Sequence, residues 1–225
     1  MAKLTKEDSQ NRIQKLQDSN PFLPAHQIIY MLLLDDIIAC RLEPGTKLTE
    51  EQCAALYDSS RTTVRRAFDR LVDEGWLERS QGHRIKISKP SQDDHIEMME
   101  FRMAIEPTAA RLAARNRTHK DLQVLKIITE KCNTSDIHTL YINDLKFHQA
   151  IFLTSKNQYL MAAYSRIEMK MSWAKLYTMD NFESICGECY QEHLAVYEAI
   201  RAGDESMAHK MMFQHIKMML DVHFE

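Results

Sequence analysis

Four side chains in the second half of the chain have the types and spacing to hold a metal ion. Asp144 and His148, in Asp144-Leu145-Lys146-Phe147-His148, stand four apart and share one helix face. His193 follows Gln191-Glu192, and His215 lies 22 positions further on, after Phe213-Gln214. Leu140, Phe147 and Ile151 turn the first pair toward a core, and Val196 and Ile200 do the same for His193. An antiparallel helix pair turning near Gly203 can bring His193 and His215 level in depth. Polar groups inside a bundle are costly unless they find partners. One carboxylate and three imidazoles suit a divalent transition metal, zinc foremost, with nickel or manganese also fitting the donors. Four protein ligands would close a tetrahedral zinc, whereas an octahedral ion would keep positions for water or a carboxylate. The spacing alone also admits three histidines that each satisfy a separate hydrogen bond.

A second set of residues carries a different chemistry. In Ser60-Arg61-Thr62-Thr63-Val64-Arg65-Arg66-Ala67-Phe68-Asp69-Arg70-Leu71, the apolar positions Val64, Ala67, Phe68 and Leu71 form one helical stripe. A serine before the first turn can cap it. Arg61 and Arg65 point together off the stripe near the N-terminal end. Guanidinium groups so placed suit guanine and phosphate, as in the second helix of a helix-turn-helix. A surface helix with solvated arginines has the same pattern, so the flanking segments must decide.

Those segments build a winged helix over residues 25–89. Residues 25–40 form an apolar helix that stops at Glu43-Pro44-Gly45. Thr49 and Gln52 have capping-box spacing, and Leu48 with Cys53 staple spacing, for a short helix ending near Tyr57-Asp58. After the arginine helix, Gly75 can end it, and Trp76-Leu77 and Arg84-Ile85-Lys86-Ile87 read as two short strands around a turn at Gly82. The reading helix and wing are locally basic, while Asp35, Asp36, Glu43, Glu50 and Glu51 are expected mostly elsewhere. Residues 1–24 are polar and of mixed sign, with too few apolar positions (Ile13, Leu16) to hold a helix alone, so a loose arm is expected.

From residue 92 to 225 the pattern is helical throughout. Helices are expected near 92–115, 118–131, 135–154, 157–179, 183–202 and 204–223, forming a compact antiparallel bundle. The fold class is therefore mostly α: an N-terminal winged helix-turn-helix with a small β-wing, and a C-terminal all-α bundle. The chain has 225 residues, 44% of them hydrophobic, with only 5 Gly and 5 Pro, which agrees with a helical protein of one large or two small domains. A net charge of −3 excludes a generally basic nucleic-acid binder, so any DNA-binding charge must be local. No apolar run is long enough for a membrane span, and Met1-Ala2-Lys3-Leu4-Thr5-Lys6 lacks a signal-peptide core. Five cysteines without a framework spacing read as thiols of a cytoplasmic protein. The pair in Cys186-Gly187-Glu188-Cys189 lacks the second pair of a structural zinc site and is expected to be two buried or pocket-lining thiols. The Met-rich tail is expected to pack a core or dimer face.

Leu42-Glu43-Pro44-Gly45-Thr46-Lys47-Leu48-Thr49-Glu50-Glu51, with Ser60-Arg61-Thr62-Thr63-Val64-Arg65 and Leu71-Val72-Asp73-Glu74-Gly75-Trp76-Leu77, resembles the winged helix of the GntR superfamily of bacterial transcription regulators. The helical remainder resembles its FCD ligand-binding domain in the six-helix, VanR-like form. The resemblance runs from residue 25 to 223. Thr63 departs from it, since members of this type usually have proline there, and the N-terminal arm is longer. The resemblance implies a homodimer on a palindromic DNA operator, controlled by a small molecule, often a carboxylate or sugar acid. It implies DNA contacts for Ser60, Arg61, Thr62 and Arg65, and a wing-tip role for Gly82; Arg66 has a less firm role, as a phosphate-contacting or solvated residue. The order Asp144, His148, His193, His215 matches the family's metal pattern, and Arg102 matches an arginine aimed at the effector. Its planar fork suits a carboxylate, although an ion pair with Glu106, four residues on, is an equal alternative. A metal-dependent enzyme fused to a DNA-binding module is the contrasting reading, but no general base or nucleophile stands out, so no enzyme activity is expected. A sensor of the metal itself is a third reading.

Overall fold

The computed structural model describes residues 5–80, 84–177 and 186–221. The chain divides into two compact units, Met1–Pro90 and Ser91–Glu225.

The first unit is built around α2 (Ala25–Ile38) and α4 (Arg61–Asp73), preceded by α1 (Lys6–Ser19) and with β1 (Lys47–Leu48) and α3 (Glu50–Leu56) between them. The stripe of α4 is buried as its spacing requires, with Val64, Ala67, Phe68 and Leu71 at most 1% exposed. Ser60 caps the helix by accepting the Thr63 N–H at 3.1 Å. At the other end Gly75 takes a φ of +73°, which only glycine adopts without strain. The Gly75 N–H bonds to Val72 O and the Trp76 N–H to Leu71 O, closing the helix and turning the chain into β2 (Leu77–Ser80). β2 pairs antiparallel with β3 (Arg84–Ile87) in the register Leu77 to Ile87 and Arg79 to Ile85. The sheet order is β1-β3-β2. The third strand, β1, is a two-residue element that periodicity cannot reveal; the spacing marks Leu48 only as a staple.

The N-terminal arm departs from expectation. Instead of a loose segment, α1 is a helix capped by Thr5. Its apolar positions are indeed few, but ion pairs hold it. Arg12 donates to Asp36 Oδ1 and to Asp35 Oδ2, both at 2.7 Å. Asp36 is fully buried and also accepts from Arg41 Nε and the Tyr57 hydroxyl, each at 2.7 Å. A buried carboxylate must be compensated, and three donors do so here. Arg12→Ala is expected to raise amide hydrogen exchange across residues 6–19 selectively, by about 1–2 kcal/mol of local stability, because Arg41 and Tyr57 still satisfy Asp36.

The second unit consists of α5 (Gln92–Asn116), α6 (His119–Lys131), α7 (Ile137–Thr154), α8 (Gln158–Tyr177), α9 (Cys186–Ala202) and α10 (Glu205–Met218), closed by a 3-10 turn, Met219–Asp221. Reciprocal capping boxes start α5 (Ser91 with Asp94) and α6 (Thr118 with Asp121). α5 runs through the centre and packs on α7, α8, α9 and α10. Its small face of Ala109, Ala110, Ala113 and Ala114 is fully buried and lets neighbouring helices approach closely. The α9–α10 turn is set by Gly203, at φ +77°, where a Cβ would also run into the Arg117 guanidinium. Among the described residues no helix is long and apolar enough to cross a membrane.

Candidate metal centre and nucleic-acid interface

Asp144 and His148 from α7, His193 from α9 and His215 from α10 converge in the bundle interior, all at most 2% exposed. One ligand atom from each lies within 4.8 Å of all the others. The contacts close a ring. His193 Nε2 is 3.2 Å from His215 Nε2, which is 3.3 Å from His148 Nε2. Asp144 Oδ1 completes it, 3.5 Å from His148 Nε2 and 3.4 Å from His193 Nε2. Donors bound tetrahedrally at about 2.0–2.2 Å from a shared ion would stand about 3.3–3.6 Å apart.

Two further carboxylates decide which way the lone pairs point. Glu106 Oε2 lies 2.6 Å from His148 Nδ1, and Glu192 Oε2 lies 2.6 Å from His215 Nδ1. A proton on His215 Nδ1 serves Glu192 and leaves that Nε2 as an acceptor facing the centre. Glu106 stands against His148 Nδ1 as an ion contact, and His148 Nε2 faces the same centre, 3.3 Å from His215 Nε2 and within reach of an Arg102 N–H. A cation between the two Nε2 atoms would be shared by both lone pairs. The His193 imidazole stacks on Phe147, with centroids 4.1 Å apart. Burial, together with the neighbouring histidines, depresses its pKa to about 3, so it stays neutral with a free lone pair. Burial likewise lowers His215. Burial also works against charge on His148, but Glu106 outweighs it and the net shift is upward. Glu106 itself would be raised by burial, yet Arg102 and His148 hold it down to about 2. The donor set and its orientation therefore fit a divalent metal.

Arg102 is fully buried and makes the ion pair with Glu106. The same guanidinium turns Nη2 to within 3.2 Å of His148 Nε2. The two alternatives for this residue are thus combined in one geometry: it is paired with Glu106 and also faces the centre. Cys189 is buried but does not belong to the four-residue group, and the Cys186 side chain lies outside the described residues. Sequence reasoning misses Glu192, and misses Glu106 as a partner for His148. Glu192 adjoins His193 yet serves His215 on the next helix, a pairing that no local spacing encodes.

In the first unit Ser60, Arg61, Thr62, Arg65 and Arg66 are all exposed on the first two turns of α4, opposite its buried stripe. Gly82 lies outside the described residues. One expectation needs correcting. Glu50 and Glu51 do not lie away from the reading arginines but against them. Glu50 takes Arg65 Nε and Nη2 at 2.7 and 2.8 Å, and Glu51 stands 3.6 Å from Arg61 Nη2. In the wing, Arg79 pairs with Asp69, and Lys86 with Glu78 at 2.8 Å. The cause is the tight turn between α3 and α4, which sets the first turn of α3 beside that of α4. Arg66 makes no ion pair among the described residues.

Comparison with known proteins agrees with this architecture. The family described as bacterial regulatory proteins, gntR family, matches residues 25–87, and the FCD domain family matches residues 97–218. The chain is 26% identical over 205 residues to the HTH-type transcriptional repressor RspR of Escherichia coli (strain K12), covering 88% of each chain. It is 27% identical over 201 residues to the Putative L-lactate dehydrogenase operon regulatory protein of the same organism, covering 78% of this chain and 77% of that one. A putative GntR transcriptional regulator from Rhodococcus sp. RHA1 shares the fold with a TM-score of 0.66 at 21% identity, covering 85% of this chain and 93% of that one.

Proposed function

The chain belongs to the gntR family of bacterial regulatory proteins and carries an FCD domain, and from that premise we propose a homodimeric, cytoplasmic repressor controlled by a metal-seated carboxylate. It is a DNA-binding transcription regulator rather than an enzyme. Repression is the role that RspR is named for and is carried over here as part of the proposal.

The observation that carries the regulatory half is the convergence of Asp144, His148, His193 and His215, with two of the imidazoles oriented by Glu106 and Glu192. These four residues would hold a divalent ion, zinc foremost, with nickel or manganese as alternatives. An ion held by these four that takes five or six ligands would supply a Lewis-acid seat for the oxygen of a carboxylate or sugar-acid effector, which a strictly tetrahedral zinc would not. Arg102, clamped by Glu106, keeps guanidinium donors toward the same place and would bind the effector's carboxylate. The name of one relative refers to an L-lactate dehydrogenase operon, and lactate is a carboxylate of this kind. Occupancy of the bundle then biases the separation of the dimer's two reading helices. Both helices must meet half-sites of a palindromic operator about one helical turn apart, so a small change in separation decides binding.

Ser60, Arg61, Thr62, Arg65, Arg66 and Gly82 are proposed as the DNA-contacting set. Arg65→Ala is expected to lower operator affinity about 10-fold or more with unchanged thermal unfolding, since each well-placed arginine contact contributes about 1–3 kcal/mol. Unaltered binding by the folded variant would remove Arg65 from the set. Elemental analysis of the purified protein tests the centre, with about one divalent ion per chain expected.

A second reading has an observation of its own. Four protein donors complete a tetrahedral set without any organic ligand, which suits a regulator that senses the ion itself. Titrating operator binding with zinc, nickel and manganese in the absence of organic acids separates the two. A response to the metal alone favours this second reading.

A further inference from the structure

Among the three arginines on the first two turns of α4, Arg65 is held differently from the others. Arg61 has one long contact to an exposed Glu51, and Arg66 has no ion pair among the described residues. Arg65 is gripped by both oxygens of Glu50, through Nε and Nη2 at 2.7 and 2.8 Å. A guanidinium has two edges that each offer a parallel pair of N–H groups. The side edge, Nε with Nη2, is occupied here. The end edge, Nη1 with the outer N–H of Nη2, remains available, and the side chain is 61% exposed. That edge matches the O6 and N7 acceptors of guanine in the major groove.

Glu50 is well placed to act as a fixed support. It is only 27% exposed and sits in the first turn of α3, which Thr49 caps by accepting the Gln52 N–H at 3.1 Å. Its carboxyl lies below its ordinary range, chiefly because Arg65 bonds to it against the effect of burial, with Arg61 and Arg79 adding to the shift. It therefore remains ionised. An acid on a DNA-facing surface repels phosphate, so its presence against the reading arginines calls for a compensating role.

We propose that Glu50 is a positioning residue for sequence reading: it clamps the side edge of Arg65 so that the end edge addresses one guanine of the operator. The inference rests on Arg65 reaching DNA, as proposed above. An arginine held in this way loses less rotamer freedom on docking and offers its fork in one orientation.

The test begins with duplexes enriched by full-length wild-type protein from a randomised double-stranded library. Affinities are then compared between the best enriched duplex and its scrambled counterpart. Glu50→Gln is expected to reduce the ratio of the two affinities about 10-fold while binding the scrambled duplex as well as or better than wild type. The enriched duplex should contain a G·C pair whose replacement weakens wild type about 10-fold and the variant hardly at all. Glu50→Asp keeps the charge but shortens the reach, so it should lose the same ratio; Arg65→Lys should too. Replacing that guanine with 7-deazaguanine removes N7 and should weaken wild type without any change to the protein.

If Glu50→Gln tightens both duplexes by one factor with guanine preference intact, Glu50 is a surface charge and the proposal fails. The absence of any such G·C pair, or indifference of wild type to 7-deazaguanine, overturns it equally. If instead Arg65→Ala keeps the full guanine preference, the assignment of Arg65 itself falls, and the clamp with it.

Discussion

Replacing His148 with alanine is expected to take the metal content of the purified protein from about one ion per chain to less than about a tenth of that. His148 is the residue through which most of the centre is connected. Its Nε2 faces His215 at 3.3 Å and Asp144 at 3.5 Å, while its Nδ1 is tied to Glu106 at 2.6 Å. Its loss removes a ligand and also the link by which Glu106 orients the site. A buried metal site with a missing imidazole loses affinity by orders of magnitude, since the ion cannot recover that bond from water. The same result should appear in stability. A ligand at about 1,000 times its Kd stabilises the native state by about 4 kcal/mol. Zinc should therefore raise the unfolding temperature of wild type by several degrees and leave His148→Ala unmoved. Equal metal content in the two proteins would show that the four residues are a hydrogen-bonded cluster and not a metal centre.

The second large effect concerns Arg102. It and Glu106 are both about 1% exposed along their side chains, one helical turn apart on α5. Burying two charges is costly, and the pair repays that cost only while both partners are present. Arg102→Ala leaves Glu106 charged in the core with His148 as its remaining neighbour. A destabilisation of about 3–5 kcal/mol is typical for one broken partner of a buried pair, and His148 places this case toward the lower end. Chemical denaturation checks the value. The double replacement Arg102→Met with Glu106→Leu should recover most of the loss, because it removes both charges and keeps the volume. If Arg102→Ala proves nearly neutral, the guanidinium does not hold Glu106 in the folded protein.

What is legible in the sequence follows from which interactions leave a periodic trace. The stripe Val64, Ala67, Phe68, Leu71 and the cap at Ser60 define α4 locally, so the residues of the reading helix suffice to delimit it. Asp144 and His148 are readable as a pair because four residues of helix bring them to one face among Leu140, Phe147 and Ile151. His193 and His215 need only one tertiary assumption, an antiparallel turn, and Gly203 marks where it falls. The remainder depends on polar contacts between elements. α1 carries no apolar stripe to announce its packing and is held by Arg12 on Asp36. Glu192 reaches His215 across a helix pair, 23 positions away. Glu50 meets Arg65 only because α3 and α4 fold back on each other. Such pairs have no spacing rule, so a charge count assigns these acids to the wrong face. β1 is missed for a different reason: two residues cannot display an alternation.

If the bundle centre governs reading by α4, operator affinity of the full-length protein loaded in turn with zinc, nickel or manganese should respond to 2-hydroxy acids and sugar acids, measured beside His148→Ala under the same conditions. At least one acid is expected to shift the wild-type Kd about 10-fold or more and leave the variant unchanged. An equal shift in both proteins, or none in either across zinc, nickel and manganese, would contradict control by the centre.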